Sequence, residues 1–339
     1  MIYRALGRTH LEVSALAFGA GPVAALMTGG DRDAQRATIA RAVEQGINWF
    51  DTAATYGEGR SESALGAALG ELDPGEKVQV ATKVRLPEEL HGPLRDSVRE
   101  AVHASLKRLG RRRITLLQLH NAVTRQRGDE PTSLCPAEIL SPGGVLEAMA
   151  DLKQTGDVAH LGLTGIGHPT ALSEVIASGQ FETVQTPYSL LNPSAGRAMS
   201  ERFTEADYGD ILSACARQSK GTFAIRVFAG GALANQPASQ HTRKTRFFTL
   251  DLYHRDLQRA ATLREWLASY EIEPTDAAVR FAVFHPHLTA AIVGLARPVE
   301  VDHAVASVAR GPLPPAVEAA LERWFDGGLT SFDEETRST

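Results

Sequence analysis

Val78-Gln79-Val80-Ala81-Thr82-Lys83 and Ile114-Thr115-Leu116-Leu117-Gln118-Leu119-His120 are short apolar runs separated by a stretch of helical spacing. In that stretch Leu94, Val98, Ala101, Val102, Leu106 and Leu109 fall on one face of a helix over Leu94–Leu109. A run apolar on both faces suits a strand buried on both sides, so the unit reads as strand, helix, parallel strand. The same alternation extends in both directions. Upstream lie strand Ala15–Phe18, helix Ala34–Gln45 with Asp33 as its expected N-cap and Gly46 as its stop, strand Ile47–Asp51 and helix Ser61–Leu69. Downstream, helix Val145–Thr155 leads to strand His160–Thr164 and helix Ala171–Ser178, then to strand Thr183–Thr186 and helix Tyr208–Gln218. Strand Thr222–Val227, a long loop, helices Leu257–Tyr270 and Thr275–Phe284, strand Ala291–Val293 and helix Val299–Val308 complete eight units.

Eight buried strands alternating with helices predict an α/β fold, the (β/α)8 TIM barrel, with an open doubly wound sheet as the competing architecture. Ile2–Leu6 and Leu11–Val13, flanking Gly7-Arg8-Thr9, add an N-terminal β-hairpin, and extra C-terminal helices end near Pro315–Phe325. No Pro/Gly/Ser linker divides the chain, so a single domain is expected over 1–330, followed by a polar tail at 331–339.

Composition narrows the classes of function. In 339 residues, 35 Lys+Arg stand against 40 Asp+Glu, a net charge of −5 that offers no general field for nucleic acid or anionic membrane. The Arg111-Arg112-Arg113 run reads as a solvated turn, because no aromatic platform accompanies it. Cys135 and Cys215 are the only cysteines, which excludes a disulfide framework or a cysteine-built zinc site. His285-Pro286-His287 has no acidic ligand nearby in sequence, so no metal is expected there. The sequence shows neither a signal-type leader nor an apolar run of ~18 residues, and a cytoplasmic location is the expectation.

Two sets of residues invite a chemical reading. Gly19-Ala20-Gly21-Pro22-Val23-Ala24 after the first strand matches the dinucleotide fingerprint, but Gly29-Gly30-Asp31 would break the long helix that such a site needs. It reads instead as a tight turn. The other set stands at successive strand ends: Asp51, then Tyr56 in the following loop, Lys83 and His120. In a barrel these ends face the mouth, and neighbouring strands are ~4.8 Å apart, so the four side chains converge. A phenol titrates near ~10, and an adjacent ammonium favours its anion. Asp51 would hold and aim Lys83, His120 would donate to a substrate oxygen, and Tyr56 would serve as general acid for an oxygen gaining negative charge. A carbonyl receiving hydride is such an oxygen.

These residues, set in Asp51-Thr52-Ala53-Ala54-Thr55-Tyr56-Gly57, Gly59-Arg60-Ser61-Glu62, Ala81-Thr82-Lys83 and Leu117-Gln118-Leu119-His120-Asn121, resemble the motifs of the aldo-keto reductases. Gly162-Leu163-Thr164-Gly165 and Val184-Gln185 are similar to that family's nicotinamide segments, and the resemblance runs from about Tyr3 to Phe325. Pro187–Asn192 and Arg226–Leu233 look closer to its bacterial sugar-dehydrogenase-like members. The resemblance implies an NAD(P)H-dependent oxidoreductase acting on an aldehyde, ketone or sugar. Catalysis would fall to Tyr56, Asp51, Lys83 and His120, and cofactor contacts to Thr164, Gln185, Arg226, Gly294, Arg297 and Glu300.

The departures from the family pattern matter as well. Thr164-Gly165 replaces a common Ser-Asn, Ile225 or Arg226 stands where an aromatic usually stacks on nicotinamide, and Ala304 replaces an adenine-contacting Asn. Glu300 would oppose a 2′-phosphate and Arg297 would attract one, which leans the expectation toward use of NAD(H) as well as NADP(H). Arg226 has three candidate partners: the cofactor pyrophosphate, an anionic or hydroxyl-rich substrate, or a neighbouring strand-end acid. Arg243-Lys244-Thr245-Arg246 reads either as a cover over the pyrophosphate or as a soluble loop. Two other functions stay open: a cofactor-binding regulatory subunit, and a dehydratase or isomerase using the same four groups.

Overall fold

The computed structural model describes residues 1–89, 92–245 and 248–329, so the tail expected at 331–339 lies outside the described residues. Two strands, β1 (Tyr3–Ala5) and β2 (Glu12–Ser14), pair as an antiparallel hairpin. Eight more follow: β3 (Leu16–Gly19), β4 (Trp49–Asp51), β5 (Gln79–Val84), β6 (Ile114–Leu119), β7 (Val158–Thr164), β8 (Thr183–Pro187), β9 (Gly221–Ile225) and β10 (Ala290–Gly294). All eight are parallel, each beside its neighbour in sequence, and β10 pairs with both β9 and β3 to close the barrel. The open-sheet alternative is thereby excluded. Helices fill the connections, and Pro315–Asp326 adds a further helix at the C-terminal end.

Strand periodicity of two explains how this barrel builds a site. On the inward face, apolar residues sit low and polar ones high: Trp49 precedes Asp51, Ala81 precedes Lys83, and Leu116 precedes Gln118. Trp49 and Phe223 stack across the interior with ring centres 4.9 Å apart, and Ala17, Ala290 and Ile292 pack in the same small cluster. The outward residues of the same strands, among them Phe50, Val80, Leu117 and Ala224, join the larger core beneath the helices.

The hairpin plugs the lower end. Leu6 and Val13 are fully buried in the inner cluster. Gly7 is pressed so closely on the start of β9 that a Cβ at its φ of +50° would lie 2.2 Å from the Gly221 nitrogen. Arg4 Nη1 donates to the carbonyls of Val283, at 2.7 Å, and Leu288, at 3.0 Å.

Three local expectations need correction. The first long helix runs Arg32–Glu44 and is capped by Asp31, whose carboxylate accepts from Ala34 N at 3.0 Å, so Asp33 lies inside the first turn. The helix expected from Leu257 begins at Leu250, because its inward face carries Asp256 beside Tyr253 and Ala260, and a buried charge interrupts the apolar period. The helix expected over Tyr208–Gln218 is confined to Ile211–Ala216. Short helices also form at Pro136–Leu140 and Gln240–Lys244, within connections that read as loops. Gly19 closes β3 and the next helix starts at Arg32, so the glycine-rich turn is not followed by a dinucleotide-binding helix. Among the described residues no helix is long and apolar enough to cross a membrane.

Candidate active site

Strand register brings the expected residues together. Asp51 closes β4 opposite Ala81, Lys83 in β5 pairs with Gln118 in β6, and Thr164 in β7 pairs with Gln185 in β8. Lys83 and Asp51 are buried and form an ion pair, Lys83 Nζ with Asp51 Oδ1. The ammonium also donates to the Thr52 carbonyl at 2.8 Å and to the Tyr56 hydroxyl at 3.3 Å. Burial works to lower the Lys83 pKa, but the charges of Asp51 and Tyr56 outweigh it and hold the group above its ordinary value. The second carboxylate oxygen of Asp51 accepts from Gln118 Nε2 and Gln185 Nε2, both at 3.0 Å. All three of the lysine's protons and both carboxylate oxygens are thus engaged, the condition under which a buried ion pair is tolerable.

The loop carrying Tyr56 is braced from below. Ser61 Oγ donates to the Ala20 carbonyl at 2.7 Å and contacts Thr52 Oγ1 at 2.8 Å. The buried carboxylate of Glu62 accepts from Thr82 Oγ1 at 2.5 Å and from Arg108 Nε at 2.6 Å. His120, just beyond β6, meets the Tyr56 ring edge-on with centres 5.7 Å apart. Desolvation first, then the charges of Arg85, Lys83 and His241, push its pKa well below the ordinary value, so the imidazole is neutral at pH 7. A neutral ring keeps one N–H to donate. The four groups form a polar cluster whose open side is the barrel mouth.

The remaining candidates are more scattered. Thr164 Oγ1 donates to the Leu119 carbonyl at 3.0 Å, which leaves its oxygen as an acceptor. Gln185 spends its Nε2 on Asp51, while its Oε1 makes no protein hydrogen bond among the described residues. Gly294 is exposed at the end of β10, near Ala24. Arg297 Nε donates to Glu300 Oε1 at 2.9 Å, and Glu300 Oε2 accepts from Ala296 N at 2.7 Å. Arg226 follows β9 with a φ of +58°, and its guanidinium carbon lies 3.7 Å from the centre of the Phe248 ring. Ile225 packs inward against the lower cluster, and the aromatic at this end of β9 is Phe248, over the Arg226 guanidinium. Of the basic run beginning at Arg243, Arg246 lies outside the described residues, and Arg243 and Lys244 are exposed. His285 is turned into the structure against Tyr188, with ring centres 5.0 Å apart.

The family model described as "Aldo/keto reductase family" matches residues 15–324. The chain belongs to this family. The aldo/keto reductase is 35% identical to the L-galactose dehydrogenase of Arabidopsis thaliana over 164 residues, 48% of each chain, and so spans about half that relative's length. It is 24% identical to the D-threo-aldose 1-dehydrogenase of a Pseudomonas species over 341 residues, covering 92% of this chain and 95% of that protein. An aldo-keto reductase from Bacillus halodurans in its holo form superposes with a TM-score of 0.70 at 22% identity, covering 99% of both chains, a likeness of fold.

Two members of this aldo/keto reductase site escaped the sequence reading. Gln118 holds the far oxygen of Asp51, and Arg85 donates Nη2 to the His120 carbonyl at 3.3 Å. Each had a legible signal, since Gln118 lies two residues before His120 and Arg85 two residues after Lys83, where strand alternation returns to the mouth.

Proposed function

We propose that this aldo/keto reductase interconverts a carbonyl and an alcohol, with Tyr56 as general acid and base and a nicotinamide cofactor as hydride source. One observation carries the reading: Lys83 Nζ, held by Asp51, stands 3.3 Å from the Tyr56 hydroxyl with the neutral His120 at the ring's edge. That arrangement delivers a proton to an oxygen gaining charge and stabilises the phenolate left behind. In the reverse direction the same phenolate accepts a proton from an alcohol. His120 donates a hydrogen bond that orients the substrate oxygen without carrying charge into the site.

The chain's residues suit such a cofactor. Gly230 and Gly231, both at positive φ, form a turn after β9 whose backbone carries no side chains of its own, which suits close approach of a pyrophosphate, with the Arg226 guanidinium beside Gly230. Gln185 Oε1, with no protein partner among the described residues, is a free acceptor for a carboxamide N–H, and Thr164 offers a second. When bound, the dinucleotide supplies hydride. Gly294, Arg297 and Glu300 would hold its adenosine end, and the Arg297–Glu300 pair supports use of NAD(H) at least as readily as NADP(H).

The substrate is a small carbonyl compound or sugar. Absorbance at 340 nm with a panel of aldehydes, ketones and sugars tests the reading. Turnover by wild type that is lost in Tyr56→Phe is the expected result. Cofactor binding with no turnover would point to a regulatory subunit instead, and conversion of substrate without an absorbance change to dehydration or isomerisation.

A further inference from the structure

Arg108 belongs to the last turn of helix Leu94–Leu109, in the outer layer, yet it grips the segment that carries Tyr56. That segment ends in Gly59 and runs directly into helix Arg60–Leu72. The Arg108 side chain lies flat on Gly59. A Cβ there, at φ +86°, would stand 2.6 Å from Arg108 Cδ and 2.8 Å from its Nε. Any other residue would therefore displace the arginine as well as strain the left-handed backbone. Gly66 brings the two helices into backbone contact, since a Cβ there would meet the Arg108 and Leu109 carbonyl oxygens at 2.7 and 2.6 Å. Arg108 Nη2 also donates to Ser105 Oγ at 3.1 Å, which anchors the guanidinium to its own helix.

At the centre of this contact is Glu62, whose side chain is wholly shut off from solvent. One of its oxygens accepts from Arg108 Nε at 2.6 Å and the other from Thr82 Oγ1 at 2.5 Å. Thr82 precedes Lys83 on β5, and strand alternation turns it toward the helices while Lys83 faces the mouth. Glu62 follows Ser61, whose backbone N donates to the Tyr56 carbonyl at 3.2 Å. Two short paths thus leave the buried carboxylate, one through Thr82 to Lys83 and one through Ser61 to Tyr56. They meet again where Lys83 Nζ donates to the Tyr56 hydroxyl at 3.3 Å. A buried ion pair is a weak source of stability beside apolar residues of the same volume. What this pair does supply is a fixed register between the turn behind Tyr56 and the strand beneath it.

We infer that Arg108, acting through Glu62, is a positioning residue for proton transfer by Tyr56, holding the phenol at its working distance from Lys83. The proton-transfer half of this statement rests on the oxidoreductase reading, whereas the mechanical link from Arg108 to Tyr56 stands on the contacts above. Loss of the guanidinium leaves Glu62 without its cationic partner, and the first turn of helix Arg60–Leu72 is then free to shift on β5. A displacement of ~1 Å at a reacting group costs on the order of 100-fold in rate. Substrate and cofactor are held by other parts of the mouth, so the signature is a fall in kcat with KM and cofactor affinity retained.

Two measurements on the full chain test the link. The first is steady-state reduction of 4-nitrobenzaldehyde by NADPH, corrected for the folded fraction of each variant. Arg108→Leu should lower kcat about 10- to 100-fold with KM and NADPH affinity nearly unchanged, and Arg108→Lys should restore part of the loss. The double variant Glu62→Gln/Arg108→Met strands no buried charge and should be similarly slow. Added to Tyr56→Phe, Arg108→Leu should cost less than about twofold more, because the two residues act as one unit. The second measurement needs neither substrate nor cofactor. In the chain labelled with ring-[13C]tyrosine, the Tyr56 resonance, assigned by its absence in Tyr56→Phe, should shift in Arg108→Leu and return toward its original position in Arg108→Lys. Losses that multiply in full with that of Tyr56→Phe, a double variant as fast as wild type, or an unmoved Tyr56 resonance would each overturn the inference. A resonance that shifts in a chain inactive with every carbonyl sinks the oxidoreductase reading and leaves the link from Arg108 to Tyr56 standing.

Discussion

Tyr56 and Asp51 touch the same ammonium, yet their substitution should have different consequences. Tyr56→Phe removes a hydroxyl at the edge of the mouth and leaves the buried Lys83–Asp51 pair in place. We expect kcat to fall ~10²–10⁴-fold with cofactor affinity and thermal stability nearly unchanged. Asp51→Asn strands the Lys83 charge in the interior and weakens the acceptor shared by Gln118 and Gln185. That variant should lose about 3–5 kcal/mol of stability as well as activity. Denaturant unfolding measured beside steady-state rates separates the two, and equal stability losses would show that the pair is not the internal support described here. At this scale much of the site was legible, because strand alternation points Asp51, Lys83 and His120 to one place. Arg226 was legible as a charge needing a partner, whereas its stacking on Phe248, 22 residues along the chain, depends on a fold of the intervening loop that no local pattern encodes.

Short structural units set the next level of behaviour. At the N-terminus of the helix Pro298–Ala309, Glu300 spends one oxygen on Arg297 and the other on a backbone N–H. Arg297 is 70% exposed, so its ion pair contributes at most ~1 kcal/mol and is easily given up. NADH and NADPH should therefore give kcat/KM values within about tenfold of each other, with NADH no worse. Arg297→Ala should lower only the NADPH value. A strong NADPH preference that collapses in Arg297→Ala would show that the arginine governs the choice.

Lower in the barrel, Glu182 ties together the starts of β7 and β8 by accepting from His160 Nδ1, Leu161 N and Lys153 Nζ at 2.9, 3.0 and 2.9 Å. Partial burial alone would raise its pKa, but these donors hold the carboxyl at about 2, against an ordinary value of 4.5. A carboxyl depressed in the folded state stabilises fully above pH 4.5, and that contribution disappears as pH falls toward 2. Glu182→Gln should thus cost stability at pH 7, and the gap to wild type should narrow between pH 4.5 and the acid limit. A gap independent of pH would place its contribution in packing. Such units were only partly legible. The helix Leu94–Leu109 followed from its spacing alone, whereas the first turns of Leu250–Ala268 were hidden by Asp256 on the buried face.

The molecule as a whole depends on a small inner core sealed from below. The eightfold alternation announced the barrel, but nothing local announced that Leu6 and Val13 would enter its interior or that Gly7 would abut Gly221, because those contacts join distant parts of the chain. Leu6→Ala should cost about 2–5 kcal/mol in global unfolding, since the surrounding strands cannot collapse onto the space left behind. Its effect on kcat should be slight, because the catalytic cluster lies at the opposite end. A loss of activity larger than the fraction unfolded would contradict that separation.

The hairpin also sets a timetable. Arg4 waits for the carbonyl of Val283, 279 residues later in synthesis. At roughly 5–20 residues per second that delay is on the order of 14–56 s. Until β10 emerges, β3 and β9 both remain open edges of the unfinished barrel, since β10 alone joins them. The hairpin is therefore locked in place late, and Leu6 and Val13 must be sheltered while the 279 residues up to Val283 are made.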